Sequence, residues 1–122
     1  MFSFLKKAEN NTSSFPWKNV DSTEILDSLM NSDTKVAIFK HSPRCIISKT
    51  VKKRFENEVD ASKMDFYMIS VIEERPLSNY VADQSGVIHQ SPQLLIFEKG
   101  SCIYNESHDG IISSETVAFL HK

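Results

Sequence analysis

The sequence predicts an α/β fold, with a mixed sheet of about four strands and helices on both faces. Two observations carry this. Apolar runs of strand type alternate with segments of helical periodicity from residue 22 to about residue 85, and such alternation implies right-handed parallel crossovers. The segments Gln93 to Glu98 and Ser101 to Asn105 then meet across a Lys99-Gly100 turn, which implies a closing antiparallel hairpin. A chain of 122 residues suits one domain, 1–122, with a core of its own.

Residues 1–20 read as a partly irregular extension. Asn10-Asn11-Thr12-Ser13-Ser14 is a loop cluster, and Phe15, Pro16 and Trp17 are expected to pack back onto the domain. Ser22 resembles an N-cap, and Glu24, Ile25, Leu26, Leu29 and Met30 follow at helical spacing, so a helix is expected over about 22–31. The run over 35–40 has continuous apolar content, which suits a central strand covered on both faces. A second helix is expected over about 46–58, with Ile46, Ile47, Val51 and Phe55 facing inward and the charges mostly in water. Met64 to Val71 is a strand by its β-branched and aromatic content. Glu73-Glu74-Arg75-Pro76 opens a third helix, with Leu77, Tyr80 and Val81 inward and Ser85-Gly86 at its end. Ser107-His108-Asp109-Gly110 reads as loop. Ser114 is the expected cap of a last helix over about 115–121, with Val117 and Leu120 inward.

Composition narrows the function classes. Apolar residues make up 40% and charged residues 25%, which fits an ordinary globular protein. A net charge of −2 gives no bias toward nucleic acid or an anionic membrane. No apolar stretch approaches the roughly 20 residues of a bilayer span. The opening Met1-Phe2-Ser3-Phe4-Leu5-Lys6-Lys7 is too short in its apolar part, with lysines on the wrong side, for a secretory signal. Two cysteines without framework spacing suggest a reducing compartment, with cytoplasm as the default.

The candidate site is Lys40-His41-Ser42-Pro43-Arg44-Cys45-Ile46-Ile47-Ser48, where a strand gives way to a helix. A cysteine there lies at the first turn, whose N–H groups lack intrahelical partners and carry the positive end of the helix dipole. A thiolate is stabilised in that position, so Cys45 is expected to be more acidic than an ordinary thiol. Free cysteine also serves often as a small buried hydrophobe, which is the alternative at this position. His41 and Arg44 could add positive charge. Ser48 stands where a second cysteine would complete C-x-x-C. Its hydroxyl could meet the thiolate or simply serve its own helix turn. His41 could tune the thiol, protonate a leaving group, or be a satisfied structural histidine. Cys102 lies just beyond the hairpin turn, and six residues of strand at about 3.3 Å each put it some 20 Å from Pro92. It is therefore read as structural rather than as a resolving thiol.

The order of elements, with Cys45 opening the helix after the first core strand and Pro92 opening the hairpin, resembles the thioredoxin fold. Three segments are more specifically similar to the monothiol bacilliredoxins of the YtxJ type. They are Phe39-Lys40-His41-Ser42 with Cys45 and Ser48; Val71-Ile72-Glu73 with Glu74-Arg75-Pro76-Leu77-Ser78-Asn79; and His89-Gln90-Ser91-Pro92-Gln93. The chain departs from the usual Thr-Cys-Pro-Ile-Ser pattern at Arg44 and Ile46, and the nucleophile survives both changes. The resemblance implies a cis Pro92 lying against Cys45, with main-chain groups of Ser91 offered to an extended substrate. It implies removal of bacillithiol, or a similar low-molecular-weight thiol, from S-thiolated client proteins, with a second small thiol or a reductase regenerating Cys45. No tightly bound cofactor or metal, no nucleic acid and no membrane are expected. Three other readings stand beside it: a non-enzymatic thioredoxin-like binding module; an iron–sulfur carrier of the monothiol glutaredoxin kind, although Ile46-Ile47 lacks the glycine of Cys-Gly-Phe-Ser; and a metal site gathering His41, Cys45 and His89, whose spacing matches no compact zinc motif.

Overall fold

The computed structural model describes residues 14–122, so most of the expected loop at residues 10–14 falls outside it. In chain order the elements are β1 (Lys18–Asn19), α1 (Thr23–Met30), β2 (Val36–His41), α2 (Ile46–Glu58), β3 (Asp65–Ser70), α3 (Arg75–Ser85), β4 (Gln93–Glu98), β5 (Ser101–Ser107), a 3-10 turn (His108–Ile112) and α4 (Ser114–Leu120). The sheet has five strands in the order β1-β3-β2-β4-β5. The additional strand is β1, two residues long and parallel to β3 through Lys18 and Asn19. A pairing that short leaves no periodicity to read. β2 runs parallel to β3 and antiparallel to β4, so it is central.

Central placement explains the unbroken apolar run of β2. Successive side chains point to opposite faces, and here both faces are covered. Val36 and Ile38 join Leu26, Met30, Leu77 and Val81 on the face covered by α1 and α3. Ala37 and Phe39 join Val51, Phe55, Ile111 and Leu120 on the face covered by α2 and α4. Trp17 and Phe15 extend that second cluster, as expected from their aromatic content. The Trp17 ring stacks on Phe55 at 5.8 Å, and its Nε1–H donates to Glu56 Oε2 at 2.6 Å. Pro16, between them, is exposed.

Local chemistry sets the boundaries. Ser22 caps α1 by accepting from Ile25 N–H. Gly86 ends α3 in the left-handed conformation, φ 76°, which a residue without Cβ adopts freely. Lys99 and Gly100 both have positive φ, the backbone of a tight hairpin turn. That turn is tied to the end of α1 by Gly100 N–H donating to Met30 O and Lys99 N–H donating to Ser32 O.

Two expectations are corrected. Ile46 and Ile47 do not face inward; they are 78% and 58% exposed. The buried stripe of α2 is Ser48, Val51 and Phe55; Ile46 falls on the opposite side of the helix, and Ile47, one turn before Val51, is left exposed at the helix entrance. The last helix is capped by Ser113 rather than Ser114, its Oγ accepting from Thr116 N–H at 3.2 Å. Its buried residues are Thr116 and Leu120, with Val117 only partly covered. Part of the expected loop 107–110 winds instead into the 3-10 turn that supports this cap.

Candidate functional site

Cys45 is the N-cap residue of α2, with extended backbone at φ −100° and ψ 124°. Its carbonyl accepts the first helical hydrogen bond, from Lys49 N–H at 3.0 Å, and its own N–H donates to Ser42 O. No side-chain hydrogen bond caps the turn, so the first-turn N–H groups next to Cys45 have no side-chain acceptor. Cys45 is partly exposed and not in a disulfide. Arg44, next to it, is exposed.

Ser48 does not stand idle one turn on. Its buried Oγ accepts from Ser42 N–H at 2.9 Å and shares a 2.8 Å hydrogen bond with His41 Nδ1. These bonds stitch the first turn of α2 to the end of β2 and fix the loop that carries Cys45. Of its two open roles, the one seen in the structure is the helix turn and its anchoring. His41 supplies no positive charge at neutral pH. Burial, then the neighbouring Lys52, push its pKa down to about 4, with Glu56 opposing and Lys49 adding to the fall. Of its open roles, the structural one fits these contacts.

The Ser91–Pro92 peptide bond is cis. Lys40 and Gln93 are ladder partners, so Pro92 lies one step beyond, at the same end of the sheet as His41 and the Cys45 loop. Gln93 is buried and braces the approach to the proline: its Nε2 donates to Ile88 O at 3.0 Å, and its Oε1 accepts from Gln90 N–H at 3.4 Å. Ser91 Oγ is buried and has no hydrogen-bond partner among the described residues. A ligand donor or acceptor reaching this spot would find an open valence.

A second polar group occupies the other face. Lys40 and His41 are consecutive in β2, so their side chains diverge across the sheet. Lys40 is fully buried, with Nζ 3.2 Å from His89 Nδ1, and Ser78 Oγ lies 3.2 Å from the same nitrogen. His41 is thus engaged by Ser48 on the α2 face, and His89 by Lys40 and Ser78 on the α3 face. The metal reading, which gathers both histidines with Cys45, does not describe this geometry. Sequence reasoning named Lys40, Ser78 and Gln93 only within longer segments and gave them no role of their own. The available signal was Lys40 itself, a charge inside a strand otherwise apolar enough to be central.

Cys102 sits at the opposite end of the sheet. Its ladder partner is Phe97, four residues along β4 from Gln93, or about 13 Å. Burial pushes its thiol pKa up, and Sγ donates to Tyr104 O at 3.4 Å. This is the structural role expected of it.

Solved structures share this architecture. A protein described as an oxidoreductase with a thioredoxin fold is 30% identical, aligned over 85% of this chain and 92% of its own, with a TM-score of 0.73. A thioredoxin of Malassezia sympodialis is 19% identical over 90% of this chain and 92% of its own, at a TM-score of 0.71. A thioredoxin of Trypanosoma brucei brucei is 16% identical over 88% and 95%, at 0.67. The last two show the fold alone. The family model of the monothiol bacilliredoxin BrxC matches residues 18–116, which hold Cys45, Ser48 and the cis Pro92. The chain therefore belongs to the monothiol bacilliredoxin family, as a redox protein built on the thioredoxin fold.

Proposed function

We propose that the protein removes a low-molecular-weight thiol, bacillithiol or one like it, from protein mixed disulfides through Cys45. The observation that carries this reading is the single cysteine at the uncapped head of α2, with Ser48 locked where a second thiol would stand. The Cys45 thiolate attacks the small thiol's sulfur in the mixed disulfide. The client's S–S bond breaks, the client thiolate leaves with the bonding electrons, and Cys45 holds the small thiol as a new disulfide. A second small thiol then attacks that sulfur, releasing Cys45 as a thiolate and a symmetric small disulfide; a partner reductase is the other route. Each step exchanges one disulfide for another, so no external oxidant is needed.

Exposed Ile46, Ile47 and Ile88 belong to the segments that carry Cys45 and Pro92, and they suit docking of an S-thiolated client segment. Two free cysteines fit a reducing compartment, and we place the activity in the cytoplasm. Among the described residues, no helix is long and apolar enough to cross a membrane.

The test is release of a small thiol from an S-thiolated reporter protein. Cys45→Ser is expected to abolish release and Cys102→Ser to leave it largely intact. Equal losses in the two variants, or full activity in Cys45→Ser, would reject the assignment and favour a non-enzymatic binding module.

A further inference from the structure

The polar group on the α3 face has a charge balance that the exchange chemistry does not use. Lys40 is fully buried. Among the described residues the ion pairs are Lys18–Asp65, Lys52–Glu56 and Arg54–Glu58, and none includes Lys40 or Arg75. A buried ammonium without a carboxylate partner is costly, and proteins generally pair such charges. The neighbour Lys40 does have is His89, and an ammonium can only donate. Nδ1 of His89 must then accept, which places the imidazole proton on Nε2. Arg75 lies one helical turn before Ser78, on the same side of α3, and Ser78 touches His89. The group therefore presents donors: the exposed Arg75 guanidinium, the Nε2–H of the part-exposed His89, and the positive end of α3. The acids next to Arg75 in sequence precede it. Glu74 is engaged at β3, where its Oε1 accepts from Ser70 N–H at 2.9 Å, and Glu73 is exposed.

This group also borders the reaction site. His89 lies three residues before Pro92, on the loop braced by Gln93, and Gln93 is the ladder partner of Lys40. Resting on the reading that Cys45 takes up a small thiol, we propose that Arg75 and His89, backed by the buried Lys40, form an anion site that recognises a carboxylate of that thiol. The three act as binding and positioning residues and take no part in the exchange of bonds. The site makes the favoured co-substrate an acidic thiol rather than a neutral or cationic one.

The test compares two adducts on one reporter protein: glutathione, a thiol with two carboxylates, and its diethyl ester, in which both are masked. Transfer is followed as a single turnover with the protein in excess, so no regenerating thiol enters. A charge-assisted hydrogen bond supports a preference of about tenfold for the acidic adduct in the wild type. The preference is expected to fall to near one in Arg75→Gln, a surface change, and in Lys40→Met, which keeps the side-chain length. Equal rates for the two adducts in the wild type, or an undiminished preference in both variants, would overturn the anion site. An independent arm titrates acetate against the 15N–1H spectrum at constant ionic strength. Shifts centred on residues 75, 78 and 89, and lost in Arg75→Gln, are expected. Their absence would overturn the site. Transfer of neither adduct by the wild type, together with these shifts, would instead reject the thiol-removal reading and leave the anion site standing.

Discussion

Ser48 shows how a single hydroxyl can stand in for a thiol's position while serving the backbone. Its oxygen joins Ser42 N–H and His41 Nδ1, so the loop holding Cys45 is fixed at both ends by one buried atom. Replacing Ser48 with Ala removes both bonds and leaves their partners unsatisfied. We expect a loss of roughly 1–2 kcal/mol in urea unfolding, together with slower thiol transfer, because Cys45 is no longer held at the helix entrance. An unchanged unfolding midpoint would show that the two bonds are dispensable. Cys45, Ser48 and Pro92 were legible because each belongs to a local pattern: a helix entrance, a spacing of three, a proline at a strand start. Lys40, Ser78 and His89 were not legible as a group. Their meeting depends on the register between β2 and β4 and on the seating of α3, and neither is written in any short window.

The elements themselves were legible because caps and periodicity agreed. Ser22 before α1, Gly86 after α3 and Lys99-Gly100 between β4 and β5 all stand where the structure uses them. The failures have physical causes. β1 is too short to have a period; Ile46 falls opposite the Val51 and Phe55 stripe, and Ile47, although one turn before Val51, is exposed at the helix entrance, which hydrophobicity and spacing alone do not reveal. The two left-handed glycines offer a test of how context grades the same conformational demand. Gly86 has φ 76° with open space around the position of a Cβ. Gly100 has φ 86°, and a Cβ there would lie 2.9 Å from Asn31 Oδ1. Substitution by Ala is expected to cost about 1 kcal/mol at Gly86, from backbone conformation alone. It should cost more at Gly100, where Asn31 must also give way and the tie between the hairpin and α1 is strained. Equal or reversed costs in denaturant unfolding would show that the Asn31 contact relaxes freely.

Across the whole molecule, the buried Lys40 and the half-buried His41 carry the largest shifts that link stability to pH. Burial lowers the His41 pKa to about 4, and burial with the charge of Arg75 lowers Lys40 to about 8. Both groups bind protons more weakly when folded than when unfolded. Stability from His41 is therefore lost as pH falls through 6.5 toward 4, and the penalty from Lys40 is relieved as pH rises from 8 toward 10.5. Cys102 and Tyr80, whose pKa values are raised, titrate in the opposite sense at high pH, so comparison with a variant is what isolates Lys40. In Lys40→Met the stem still packs, and His89 Nδ1 keeps Ser78 Oγ as a partner. We expect this variant to be more stable than the wild type at pH 7 by roughly 1–3 kcal/mol, since a buried charge with no acid partner has been removed. The difference should hold steady below pH 8 and shrink as pH climbs toward 10.5. A variant less stable at pH 7, or a difference flat to pH 10.5, would mean that Lys40 is not a buried unpaired charge. A lysine that weakens the fold it sits in is the pattern expected where a site is kept for binding rather than for stability.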